Sequence, residues 1–110
     1  MDKTDALTLV QKYAEVVRDA FDFQKIILFG SYARGNSRVD SDIDIAIVFS
    51  NYDNRFVRQV ELMKLTRHID TRIEPHPFQA NEFVLSNPFV NEIMKYGIEI
   101  ETPYVDKRRD

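Results

Sequence analysis

The chain has 110 residues, no cysteine and a formal net charge of −3. That length fits one domain, and the absence of cysteine excludes disulfides and thiolate metal sites. No apolar run approaches the roughly 18–20 residues that cross a bilayer, the start lacks a signal-peptide core, and the acidic balance gives no general pull toward nucleic acid or anionic lipid, so a cytoplasmic protein without membrane contact is expected.

Leu7, Val10, Ala14, Val17 and Phe21 recur at three- and four-residue steps, which predicts an amphipathic helix over 4–21 with Thr4 as N-cap. A short apolar strand follows over 25–29 and ends in Gly30. Residues 36–41, after Gly35, are polar and read as a loop. Ile43, Ile45 and Ile47 alternate with Asp44, Ala46 and Val48, predicting a strand with one apolar and one mixed face. A turn and cap cluster over 50–54 leads into a second long helix, sketched by Phe56, Val60, Met63 and Ile69. Residues 71–78 read as a third strand, whose Pro75 and Pro77 place its end at a sheet edge or exit. Asn87 as cap and Pro88 at the first helical position predict a helix to Tyr96, closed by Gly97 in a left-handed C-cap. Residues 98–101 alternate as a last short strand, and the charged tail 102–110 is expected to be flexible. The order α-β-(short α)-β-α-β-α-β predicts a single α/β domain over 1–110, a small mixed sheet with helices packed on it.

The chemistry concentrates in residues 30–49, GSYARGNSRVDSDIDIAIVF. Side chains two apart on a strand share a face, so Asp42 and Asp44 project together while Ile43 and Ile45 bury. Isolated buried carboxylates are costly unless paired or bound to a metal. Such a pair can bracket one or two divalent cations, and Mg2+ prefers hard oxygen ligands and completes its shell with water and phosphates; a solvated pair at a strand edge is the competing reading. A strand ending in Gly30-Ser31 and turning into a short helix offers backbone amides and a hydroxyl to an anion. Arg34 and Arg38 supply nearby cations, or are solvated surface arginines. Asp40 falls in the loop, beyond the strand.

Gly30-Ser31, ten intervening residues, then Asp42-x-Asp44, set between apolar strands, resembles the signature of the polymerase-beta-like nucleotidyltransferases. At this length the chain resembles the minimal nucleotidyltransferase (MNT) group of that superfamily. The resemblance implies the polymerase-beta-like fold, two Mg2+ ions on Asp42 and Asp44, and nucleotide phosphates on Gly30 and Ser31 with Arg34 beside them. It also implies a third carboxylate on the neighbouring strand, as metal ligand or as base for the attacking hydroxyl. Glu74 in TRIEPHPF matches, although aspartate is commoner there; Asp70 is its rival, and His76 either touches substrate or is structural. With only His68 and His76 and no cysteine, a zinc site is not expected.

MNT proteins are commonly paired with a helical HEPN protein, an RNase toxin, and act as its antitoxin. The resemblance therefore implies AMPylation: transfer of AMP from ATP to a tyrosine of that partner. The helix 88–96 and the tail from 102, with Phe89 and Tyr104 as anchors, are the candidate docking surface. Transfer to an RNA end or small molecule, and a non-catalytic module that neutralises its partner by binding, are the alternatives.

Overall fold

The computed structural model describes residues 1–101; the charged tail 102–110, with Tyr104, lies outside them. The first helix, α1, spans Lys3–Ala20. Its N-cap is Asp2 and not Thr4: the Asp2 carboxylate accepts from the Asp5 amide at 2.9 Å, and the Asp5 carboxylate accepts from the Asp2 amide at 3.4 Å. This reciprocal pair satisfies two amides that the helix leaves without partners and sets negative charge at the positive end of the helix dipole. Ala6, Val10, Tyr13, Ala14 and Val17 form the buried stripe.

Tyr13 ties this helix to the rest of the molecule. Its hydroxyl donates to the Leu62 carbonyl at 2.7 Å in the interior, and burial raises its pKa far above the ordinary tyrosine range. Removing the hydroxyl strands a buried carbonyl. Tyr13→Phe is therefore expected to cost about 1–3 kcal/mol, read as a lower urea midpoint with an unchanged slope.

The sheet has the strand order β3-β2-β1-β4, with β1 at Lys25–Phe29, β2 at Ile43–Phe49, β3 at Ile73–Gln79 and β4 at Ile98–Glu99. β1 runs antiparallel to both β2 and β4, whereas β2 and β3 are parallel. The mixed sheet is the expected one. Helix α2, Gly30–Arg34, begins at the residue after β1; α3, Arg55–Leu65, carries the parallel crossover from β2 to β3, and α4, Pro88–Tyr96, precedes β4.

Both sheet faces are covered. Ile26, Leu28, Ile43, Ile45, Ile47 and Ile73 pack with the stripe of α1, while Ile27, Ala46, Val48 and Phe78 pack with Val90 and Ile93 of α4. The face expected to be mixed is therefore apolar beneath α4 and polar only at its end, where Asp44 lies.

β3 is an edge strand despite its full pairing with β2. The carbonyls of Pro75 and Pro77 point away from β2: the Gln59 amide donates to one at 3.2 Å and the Tyr52 hydroxyl to the other at 3.3 Å. A proline's missing N–H is harmless on that outer side, where it also blocks pairing with a further strand.

Three further expectations differ from the structure. The second long helix does not reach Ile69, since a 3-10 turn over Thr66–His68 separates them. Nor does it bury Phe56 and Met63, which are 74% and 50% exposed; Leu62 goes inside instead. Its inner face also carries Arg58, whose guanidinium lies 4.2 Å from the Phe21 ring centroid and 4.6 Å from that of Phe49. Cation–π attraction lets an arginine occupy a position the apolar pattern would not give it. Finally, Asn87 caps α4 as expected, accepting from the Phe89 amide at 2.9 Å, but Gly97 is extended at φ −65° and not left-handed.

Candidate active site

The site grows from one row across the sheet. Phe29 at the end of β1 pairs with Asp44 of β2, which in turn pairs with Glu74 of β3. The next residue after Phe29 is Gly30, in the left-handed region at φ +74°. A Cβ there would stand 2.5 Å from the Asp44 Oδ2 atom. Gly30 thus meets two demands at once: a turn that side chains disfavour, and a carboxylate packed against its α-carbon.

Helix α2 starts at Gly30 and no side chain caps it. Ser31, half-buried, sits in its first turn, and Arg34 is exposed in its last. Gly35, at φ +80°, ends the helix. The loop that follows is tied by the Arg38 amide donating to Ser41 Oγ at 2.7 Å and the Ser41 amide to the Arg38 carbonyl at 3.0 Å. Arg38 and Asp40 are exposed on it.

Asp42, exposed, immediately precedes β2, and its carboxyl is near enough to Glu74 to help raise the Glu74 pKa. Among the described residues Asp44 and Glu74 are brought together with His76 within 4.8 Å, whereas Asp42, outside the strand proper, stands outside that group. Burial is the main cause that raises the Glu74 pKa above the ordinary glutamate range. A hydrogen bond that protonated Glu74 can donate to Asp42 and the charges of Asp44 and Asp42 push the same way, and His76 opposes them. Asp70 does not join this group. Arg72 holds it with an Nη2–Oδ2 contact of 2.6 Å and an Nε–Oδ1 bond of 3.0 Å, which lowers its pKa.

His76 does join it. Its Nε2 lies 3.4 Å from Asp44 Oδ1 and 4.0 Å from Glu74 Oε1. The imidazole is set among rings, 5.3 Å from Phe29 and 6.4 Å from Phe89 between centroids. Phe89 remains 47% exposed. The two-residue step from Glu74 to His76 along β3 was a visible signal for a shared face. The aromatic wall was not, because it joins the end of β1, the middle of β3 and the start of α4.

The chain resembles known proteins along most of its length. It is 29% identical over 97 residues to "Putative protein adenylyltransferase MJ1379" of Methanocaldococcus jannaschii, an alignment covering 88% of this chain and 91% of that one. A crystal structure described as a toxin-antitoxin with AMP-PNP superposes with a TM-score of 0.62 at 25% identity, covering 84% of this chain and 72% of that one. A chain of a structure described as tri-AMPylated Shewanella oneidensis HEPN toxin in complex with MNT antitoxin superposes with a TM-score of 0.58 at 21% identity, over 92% and 73% of the two chains. Residues 11–102 match the family model for polymerase beta nucleotidyltransferases, and this chain is a member of that nucleotidyltransferase family.

Proposed function

We propose that the chain transfers AMP from ATP, in a Mg2+-dependent reaction, to a tyrosine hydroxyl of a HEPN toxin and so acts as its antitoxin. The observation that carries this reading is the meeting of Asp44 and Glu74 across β2 and β3, with Asp44 packed against Gly30 and Asp42 near Glu74. The adenylyltransferase name of a relative and the AMP-PNP complex of a structural neighbour support AMP as the group transferred. The HEPN partner rests on the MNT resemblance, with the AMPylated-toxin complex supporting it through a shared fold.

The residues fit a divalent cation. Oxygen atoms of Asp44 and Glu74 and a ring nitrogen of His76 all lie within 4.8 Å of one another, and the charges of Asp44 and Asp42, which add to burial in raising the Glu74 pKa, are a repulsion that a cation would relieve. Asp42 and Asp44 would hold Mg2+, up to two ions, with Glu74 placed to share one of them, and bound metal would polarise the oxygens of the transferring phosphoryl group. Gly30 and Ser31 would hold the triphosphate through backbone amides and a hydroxyl, with Arg34 at the outer end of α2 neutralising charge. Glu74, its carboxyl tuned upward, would take the proton of the attacking hydroxyl as the oxygen bonds to the α-phosphorus and pyrophosphate departs. Within residues 1–101 the helices and strands are spent on the sheet and its covering, so the partner supplies the acceptor's orientation. That alignment is worth up to roughly 7–11 kcal/mol of barrier in well-oriented systems.

Two substitutions separate the roles. Ser31→Ala is expected to weaken ATP binding by about 1.5–3 kcal/mol, the value of a hydrogen bond to a charged group, measured by calorimetric titration. Glu74→Gln should leave that affinity nearly unchanged and slow single-turnover transfer by about 10²–10⁴-fold. Wild-type transfer in Glu74→Gln would remove Glu74 from the base role.

The function itself is tested by incubating the chain with the adjacent gene's product, labelled ATP and Mg2+, then weighing both intact chains. AMP increments on a tyrosine of the partner, absent with Asp42→Asn, are expected. Label found only on added RNA would move the acceptor to an RNA end.

A further inference from the structure

We infer that His76 is itself a metal ligand, and that it tunes the site toward first-row divalent cations that accept nitrogen, Mn2+ among them, over Mg2+. The inference deepens the metal reading proposed above and rests on it. His76 Nε2 makes a long hydrogen-bond contact of 3.4 Å with Asp44 Oδ1 and stands 4.0 Å from Glu74 Oε1, beyond hydrogen-bond reach. Donors on a common ion with bonds of about 2.1 Å stand between roughly 3.0 and 4.2 Å apart, from right-angled to opposite positions. Both separations fall inside that interval.

The ring is also held for the task. Phe29 lies against it at 59° between planes and Phe89 at 55°, so Nε2 faces the carboxylates from a packed side chain and not from a mobile one. The backbone cooperates: β2 and β3 set Asp44 opposite Glu74 and Ala46 opposite His76. The small Ala46 leaves the row beside Asp44 clear for the ring. Carboxylate and water oxygens alone suit Mg2+, whereas an imidazole in the shell suits first-row transition ions.

The probe is Mn2+ alone, counted by the electron-paramagnetic signal of the free aquo ion, with Mg2+ added as competitor. Wild type is expected to prefer Mn2+ clearly. His76→Gln should lose about tenfold or more in Mn2+ affinity, comparable to losing a ligand-supporting partner, while its Mg2+ affinity changes little. If His76 only donates a hydrogen bond to Asp44, both ions weaken together and the selectivity ratio stays put, which overturns the inference and leaves the Mg2+ reading standing. If wild type binds neither ion, both readings fall. A second measurement covers poor folding of the variant. In the 15N-labelled wild-type chain, Zn2+ as diamagnetic stand-in should move the His76 Nε2 resonance to a metal-bound position, and an unmoved resonance rejects direct ligation.

Discussion

Asp44→Asn is expected to abolish nucleotidyl transfer, and with it the metal dependence of nucleotide binding, without harming the fold. Asparagine keeps the shape of the side chain and one of its oxygens but loses the charge that a hard cation requires. Asp44 is the hub of the row: paired across to Phe29 and Glu74, packed against Gly30 and nearest to His76. Its side chain is 27% exposed, so the amide keeps access to water. Its charge is one of the causes that raise the Glu74 pKa, and removing it relieves repulsion. The melting temperature without metal should therefore hold or rise while activity disappears, the trade expected where a site stores destabilising charge for function. Thermal melts with and without Mg2+, together with single-turnover transfer, check both halves. Full activity in Asp44→Asn would end the paired-carboxylate reading. Asp42→Asn should behave alike in activity, although Asp42 sits at the strand's mouth and is exposed.

What could be read in the sequence and what could not follow from the range of each interaction. The strand-turn-helix at Gly30 and the two-residue step from Asp42 to Asp44 are local, so spacing alone exposed them. The pairing of Asp44 with Glu74 is set by parallel register between strands thirty residues apart, to which no local pattern points; the family resemblance supplied Glu74, and the register brings it to Asp44. His76 shared that strand face, yet its approach to Asp44 depends on the same register. The helix errors have a different origin. Arg58 occupies an inward position by lying over Phe21 and Phe49, which inverted the apparent apolar face of α3 and made Phe56 look buried. Gly97 was read as a left-handed cap, but a Cβ there would collide with the Ile93 carbonyl and the Ile27 side chain; the glycine is required by close approach, at an ordinary φ. At the N-terminus, Asp2 outcompeted Thr4 because Asp5 stands three residues on and returns its bond.

Gly30→Ala is expected to remove activity as completely as Asp44→Asn while deleting no chemical group. The added methyl meets two separate obstacles. A left-handed backbone costs a non-glycine residue about 1–2 kcal/mol, and the new Cβ would stand 2.5 Å from Asp44 Oδ2. The second obstacle must be relieved by moving either the turn that would face the triphosphate or the carboxylate that would hold the metal. Positioning errors of that size at a phosphoryl-transfer site are enough to lose about 10²-fold or more in rate. A double-mutant cycle separates the obstacles. With Asp44→Ala as background, the oxygen is gone and only a tight contact with the Asp44 Cβ position at 3.3 Å is left, so the stability cost of Gly30→Ala should fall toward the backbone strain alone. A coupling energy of about 0.5–3 kcal/mol between the two positions is expected from urea denaturation. Additive costs would mean that the carboxylate swings away freely. The glycine would then be there for its φ alone, and the loss of activity would have to come from the turn.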